Sequence, residues 1–186
     1  LGDILPSAVE YGRTRGFLGI PDGTPITGIA GDQQAALFGQ ACFRKGSVKC
    51  TYGTGAFIIA NTGNVPVFSK RRLLTTVAWK LGDKMTYGLE GSAFIAGAAV
   101  QWVRDGLGWI SKSAEIETLA TSVPNSDGVT FVPALTGLGA PHWVAGATGL
   151  FTGITRRTTK AHMARAVQDG IVFQVRELLE AMTSDL

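Results

Sequence analysis

The sequence has no unbroken run of about 18 apolar residues, the length a membrane-crossing helix requires, and no charged-then-apolar opening that reads as a signal peptide. A cytoplasmic location and no membrane partner are the default expectations. Cysteine is scarce. The two thiols, Cys42 and Cys50, lack metal-type spacing, and the expectation is two buried thiols in a reducing compartment. The two histidines, His142 and His162, have no HExxH-type partner, so no protein-bound metal site is expected. Concentrated charge is also missing. The net charge of +3 is spread over short groups, Arg13 with Arg15, Lys70 to Arg72, and Arg156 with Arg157. None is interleaved with aromatics as a base-stacking platform would be, so a nucleic-acid partner is not indicated.

Glycine, by contrast, is abundant: 25 of 186 residues, in a chain that is 45% apolar and 17% charged. That is the composition of a globular, enzyme-like chain with many tight turns. The length suffices for one full domain or parts of two. The chain opens on Leu1 without a methionine and stops at Leu186 inside a helical pattern, so it reads as a piece of something larger.

Residues 1–25, with prolines at 6, 21 and 25, read mostly as loop with room for a short strand. An apolar run from Ile26 to Gly31 then feeds an alanine-rich helical stretch that Asp32 opens and that runs to about Phe43. From Ser47 the pattern turns to strands. Val48–Tyr52 and Ala56–Asn61 flank Gly53-Thr54-Gly55, and Leu74–Leu81 and Lys84–Leu89 flank Gly82-Asp83, two hairpin signals that together predict an antiparallel meander. Ser92 is placed to cap a helix to about Leu107. A short helix near 112–121, a strand over Val129–Leu135 and a last helix from about Thr159 follow. On that last helix Ala164, Val167, Ile171, Val175, Leu178 and Met182 share one face, which should pack on the sheet. The only domain boundary the pattern suggests lies near Gly46.

Three places could carry chemistry. Asp32 stands where a strand feeds a helix, the crevice in which open α/β sheets bind ligands. A carboxylate there could take a hydroxyl proton as the oxygen attacks a phosphoryl group. Taken alone, Asp at a helix start is better explained as an N-cap. In Gly53-Thr54-Gly55 the glycines would let backbone N–H groups approach phosphate oxygens and the Thr hydroxyl would add a donor. A plain hairpin turn uses the same glycines, and neither a P-loop nor a dinucleotide fingerprint is present. Gly97 and Gln101, four apart on the predicted helix, share a face distinct from Ile95, Ala98 and Trp102. A mid-helix glycine suggests close approach by another group, with helix packing the commoner cause. Phe57 and the four tryptophans, Trp79, Trp102, Trp109 and Trp143, default to core positions.

Read in order, GIAGDQQAALFGQ at 28–40, TYGTGAFIIANTG at 51–63, LEGSAFIAGAAVQW at 89–102 and FVPALTGLGAPHW at 131–143 resemble the glycerol kinases of the FGGY carbohydrate kinase family. The resemblance implies an α/β, ribonuclease H-like (actin-like ATPase) fold, present in part, with a mixed sheet, antiparallel hairpins and flanking helices. It implies that residues 1–45 are the tail of a polyol-binding N-terminal domain and 46–186 the first part of a nucleotide-binding C-terminal domain. The cofactors it implies are ATP and Mg2+, with glycerol as substrate; a homo-oligomer is left open. Asp32 matches the family's catalytic base, Gln33 a glycerol contact, and Phe57 a ring packed on the glycerol carbons. Gly53, Thr54 and Gly55 match the phosphate-binding turn, and Gly97 and Gln101 match nucleotide contacts. The isolated stretch is expected to be inactive, because such a site needs both domains. A kinase of another polyol or pentulose, or a non-catalytic actin-like nucleotide-binding module, are the alternatives. Two departures from the family's pattern stand out. Val144 and Thr148 replace an Asp and an Arg of the usual loop, and the 21–25 loop lacks the arginine of sugar-bisphosphate-regulated members.

Overall fold

The structure, a computed structural model, describes residues 5–186. Residues 1–4 of the predicted N-terminal loop lie outside the described residues. The rest of that loop contains a two-stranded ribbon: β1 (Ala8–Arg13) pairs antiparallel with β2 (Pro25–Gly28), Ala8 opposite Gly28 and Arg13 opposite Pro25. Pro25 sits at the first residue of its strand, where a missing N–H is tolerated. Helix α1 spans Asp32–Gly39 and ends short of the predicted Phe43. Ala41 turns left-handed (φ 56°) and the Cys42 N–H donates back to Leu37 O at 3.1 Å, a C-terminal stop that folds the chain over. Phe43 is thereby returned to Phe38, ring centroids 4.9 Å apart, and both meet Trp79 edge-on.

Four strands follow: β3 (Val48–Tyr52), β4 (Ala56–Gly63), β5 (Leu74–Leu81) and β6 (Lys84–Ala93). Both predicted hairpins are present, but they do not form a meander. The spatial order is β3-β4-β6-β5, because β6 inserts beside β4, Ala56 opposite Ala93 and Ala60 opposite Leu89, and displaces β5 to the edge. The reason is burial. β6 carries the small and apolar series Leu89, Gly91 and Ala93, all buried, whereas Leu74, Val77 and Leu81 of β5 are exposed. β4 is thus central and buried on both faces. Ile59 packs with Leu37, Cys42, Ala78 and Trp79 on the α1 side, while Ala56, Ile58 and Ala60 pack on the opposite side against Val175, Leu178, Ala181 and Met182.

Those last four residues belong to α4 (Lys160–Asp185). Its predicted apolar face is the one it buries, with Ala164 and Val167 extending into a second core beside Val103, Ile116 and Phe131. A capping box opens it: Thr159 is the N-cap, and its N–H donates to His162 Nδ1 at 3.1 Å. The second core is completed by α2 (Gly97–Asp105), α3 (Glu115–Thr121) and the pair β7 (Thr130–Val132) with β8 (Leu150–Thr152). Ser92 does not cap a helix. It lies within β6, 7% exposed, and its carbonyl accepts the Ala140 N–H at 3.0 Å. The predicted strand over 129–135 shrinks to Thr130–Val132, since the next residues leave the ladder and Gly137 takes a positive φ of 86°.

Of the two thiols, Cys42 is buried but Cys50 is exposed, on the outer strand β3. Trp79 is buried and Trp102 and Trp109 are half-buried, whereas Trp143 stands exposed with its indole N–H on Arg72 O at 2.7 Å. Leu178, fully buried between the sheet and α4, would leave a cavity if shortened, so Leu178→Ala should lower unfolding free energy by about 2–5 kcal/mol. Its exposed neighbour Leu179 should matter little, Leu179→Ala staying within about 0.5 kcal/mol when both variants are unfolded in urea.

Candidate functional site

The β1–β2 ribbon delivers the chain to Gly31 in extended conformation, and Asp32 is the first residue of α1. The N-cap position therefore belongs to Gly31, and Asp32 is not the N-cap that its residue type favours. Asp32 is exposed. One carboxylate oxygen accepts the Gln33 N–H at 2.8 Å, and the other lies 3.4 Å from Gln33 Nε2.

Packing of α1 across the sheet sets Gln33 over β3, where it meets Lys49. Lys49 is 6% exposed, an unusual place for an ammonium. It donates to Gln33 Oε1, to Thr51 Oγ1 at 3.0 Å, and at 3.5 Å to Phe57 O. Glu90 occupies the same row of the sheet, since Lys49 faces Ile59 and Ile59 faces Glu90. Burial pushes the Lys49 ammonium below its ordinary pKa, while Glu90, then Cys50 and Asp32, pull it back up. Burial raises the Glu90 carboxyl, Lys49 draws it down, and Asp32 adds a further upward push. A single cation thus serves two carboxylates without a contact ion pair to either among the described residues. Sequence reasoning missed Lys49 and Glu90. The available signal was a lysine inside an apolar β-run, which strand alternation usually assigns to solvent.

The hairpin Gly53-Thr54-Gly55 lies at the tip of β3, about 15 Å of extended chain beyond Lys49. Its carbonyls hold the start of α2: Gly97 N–H donates to Gly53 O at 2.9 Å, and the Ala96 and Ala98 N–H groups donate to Thr54 O at 2.8 and 3.1 Å. Gly97 is accordingly not mid-helix but the first helical residue. A Cβ there would meet Gly53 O at 2.6 Å, and one at Gly55 would meet Ala93 O at 2.5 Å. Both glycines are required by close approach of backbone to backbone. Thr54 is exposed, and its hydroxyl is uncommitted among the described residues. Gly53 and Gly97 line a cleft of about 510 Å³ with Tyr52, Ala96, Arg165 and Asp169. Gln101, one turn along α2, is exposed and outside that lining.

One strand therefore gathers most of the residues singled out by sequence. Asp32 and Gln33 stand by Lys49 near its start, and the Phe57 carbonyl reaches the same ammonium from the partner strand. Phe57, half-buried rather than core, lies opposite Thr51, and Gly53, Thr54, Gly55 and Gly97 stand at its tip.

Residues 48–185 match the C-terminal domain of the FGGY family of carbohydrate kinases. The whole chain aligns with glycerol kinases of Myxococcus xanthus, 63% identical, and Bdellovibrio bacteriovorus, 58% identical, and spans 38% of the length of each. Among solved structures, glycerol kinase of Plasmodium falciparum with ADP superposes with a TM-score of 0.86 at 40% identity, over 97% of this chain and 36% of that one. A ligand-bound xylulose kinase from Lactobacillus acidophilus superposes with a TM-score of 0.76 at 28% identity, over 89% of this chain and 33% of that one. The fold is the ribonuclease H-like, actin-like one that the sequence resemblance implied.

The close approach at Gly97 is directly testable. Gly97→Ala should push the 53–55 turn away, cost about 1–3 kcal/mol, and speed hydrogen exchange at the Ala96 and Ala98 amides. Gly146→Ala, where a Cβ meets nothing within 4 Å, should stay within about 0.5 kcal/mol.

Proposed function

The chain belongs to the FGGY family of carbohydrate kinases, and from that premise we propose that it is the inter-domain portion of an ATP-dependent glycerol kinase. The observation that carries the reading is the shared strand. An exposed carboxylate, Asp32, and a half-buried amide, Gln33, stand beside the start of β3, and a glycine turn carrying the Thr54 hydroxyl, uncommitted among the described residues, ends it. The likeness to glycerol kinases over the full chain supports glycerol as the polyol.

In the proposed reaction Asp32 accepts the proton of a primary hydroxyl of glycerol as that oxygen bonds to the γ-phosphorus of ATP. The bond from that phosphorus to the bridging oxygen breaks, leaving ADP and sn-glycerol 3-phosphate. Gln33 holds a hydroxyl and Phe57 covers the carbon chain. The Thr54 hydroxyl and the backbone N–H groups of Thr54 and Gly55 hold phosphate oxygens, while Gly53, whose N–H donates to Gly55 O at 2.8 Å, shapes the turn that presents them, with Gly97 and Gln101 on the nucleotide side of the turn. The turn is held from behind by the Ala96, Gly97 and Ala98 N–H groups on its carbonyls, which preorganises the donors it presents. Mg2+ is read as arriving on the nucleotide phosphates, where it neutralises charge.

In domain terms, residues 1–45 are read as the tail of the polyol-binding domain and 46–186 as the start of the nucleotide-binding one. The family match beginning at residue 48 supports that border. A site split between two domains needs both, so the 186 residues alone should not turn over substrate. A pentulose substrate is the second reading, favoured by the likeness to a xylulose kinase.

In the full-length protein carrying this chain, Asp32→Asn should lower kcat by about 10²–10⁴-fold with little change in ATP affinity. Near-normal turnover would overturn the role of Asp32. A panel of glycerol, erythritol and xylulose in an ADP-release assay should show glycerol preferred; preference for xylulose would favour the second reading. ATP binding without phosphorylation of any polyol would favour a non-catalytic module.

A further inference from the structure

The oxygen of the Gln33 amide meets a partner that can only donate. An ammonium carries three N–H donors and no acceptor, so the oxygen end of the amide must be the end that faces Lys49, and Lys49 Nζ does donate to Gln33 Oε1. The ammonium is itself fixed. It donates to Thr51 Oγ1 at 3.0 Å, approaches Phe57 O at 3.5 Å, and is only 6% exposed. Glu90 and Asp32 favour its charged form against the penalty of burial. The NH2 end of Gln33 is thereby turned toward Asp32, 3.4 Å from the carboxylate oxygen Oδ2.

We infer that Lys49 is a positioning residue for substrate recognition: by fixing the orientation of Gln33 it sets an N–H donor beside the Asp32 acceptor, a pair that reads one alcohol group. The inference rests on the proposed reading of Asp32 and Gln33 as polyol contacts. An alcohol has one proton to give and lone pairs to receive, so a single hydroxyl can donate to Asp32 while accepting from Gln33 Nε2. With the amide reversed, two acceptors would stand side by side and one proton could not satisfy both. A ketone oxygen has no proton for Asp32, and an ammonium has no lone pair for Gln33. The pair therefore selects a hydroxyl at the reacting position, and the selection originates in a lysine that need not touch the substrate.

The test is a double-mutant cycle in the full-length protein carrying this chain, with glycerol and ATP as the varied substrates. Gln33→Ala should raise KM for glycerol about tenfold or more, the scale of a lost charge-assisted or buried hydrogen bond. Lys49→Met should raise it by a similar factor, with KM for ATP held within about twofold. The double variant should be no worse than the more severe single one, because Lys49 acts through Gln33. A purely structural role would instead disturb both KM values and multiply with the Gln33 effect. Lys49→Met that leaves KM for glycerol unchanged while Gln33→Ala raises it overturns the inference and leaves the site reading standing. Gln33→Ala without effect on KM for glycerol overturns both. Should Lys49→Met fail to fold, Lys49→Gln keeps a buried polar group of similar length but can present either end of its amide. It should raise KM for glycerol about threefold or more, and an unchanged value overturns the inference.

Discussion

The pairing of β4 with β6 is the constraint on which the other parts depend. Once β6 lies beside β4, with Ala56 opposite Ala93, strand β4 is covered on both faces, and a one-residue slip would exchange Ile58 and Ile59 between the α4 side and the α1 side and break both packings. Its two faces then assign the helices. α1 packs over Ile59, Ala78 and Trp79, and α4 packs over Ile58, Ala60 and Leu89. The carbonyls of Ala93 and Phe94, at the end of β6, also lie against Gly55. The same strand that closes the core therefore shapes the turn at the tip of β3.

The site inherits its geometry from this arrangement. α1 lies over the row formed by Lys49, Ile59 and Glu90, which brings the first turn of the helix onto a buried cation. A cation so placed is tolerated because it has three acceptors near it and two carboxylates in its field. At the other end of β3 the start of α2 hydrogen-bonds to the turn carbonyls of Gly53 and Thr54. The helix thus spends its first amides on holding the turn, and what it leaves toward solvent is the Thr54 hydroxyl. Rigid elements position both ends, and β3 sets the distance between them.

Much of the fold was legible in the pattern of residues. The four strands of the main sheet, the amphipathic face of α4 and the Gly53-Thr54-Gly55 hairpin all follow from local periodicity and turn chemistry. The errors share one cause. The meander, the helix cap at Ser92 and the run of α1 to Phe43 were each inferred from neighbours in sequence, and each was overruled by a partner far along the chain. β6 was drawn to β4, Ser92 was claimed by the sheet and by Ala140, and Phe43 was claimed by Trp79.

For the site, residue order alone shows the carboxylate and amide at 32–33, the glycine turn, and the family they indicate together. Only the tertiary structure decided that Asp32 is not an N-cap, that Gly97 is the first residue of a helix pressed on Gly53, and that Lys49 is buried beneath Gln33. The physical reason is that burial and hydrogen-bond partnership are properties of two segments at once. A lysine in a β-run has no stated environment until a helix from earlier in the chain is laid over it.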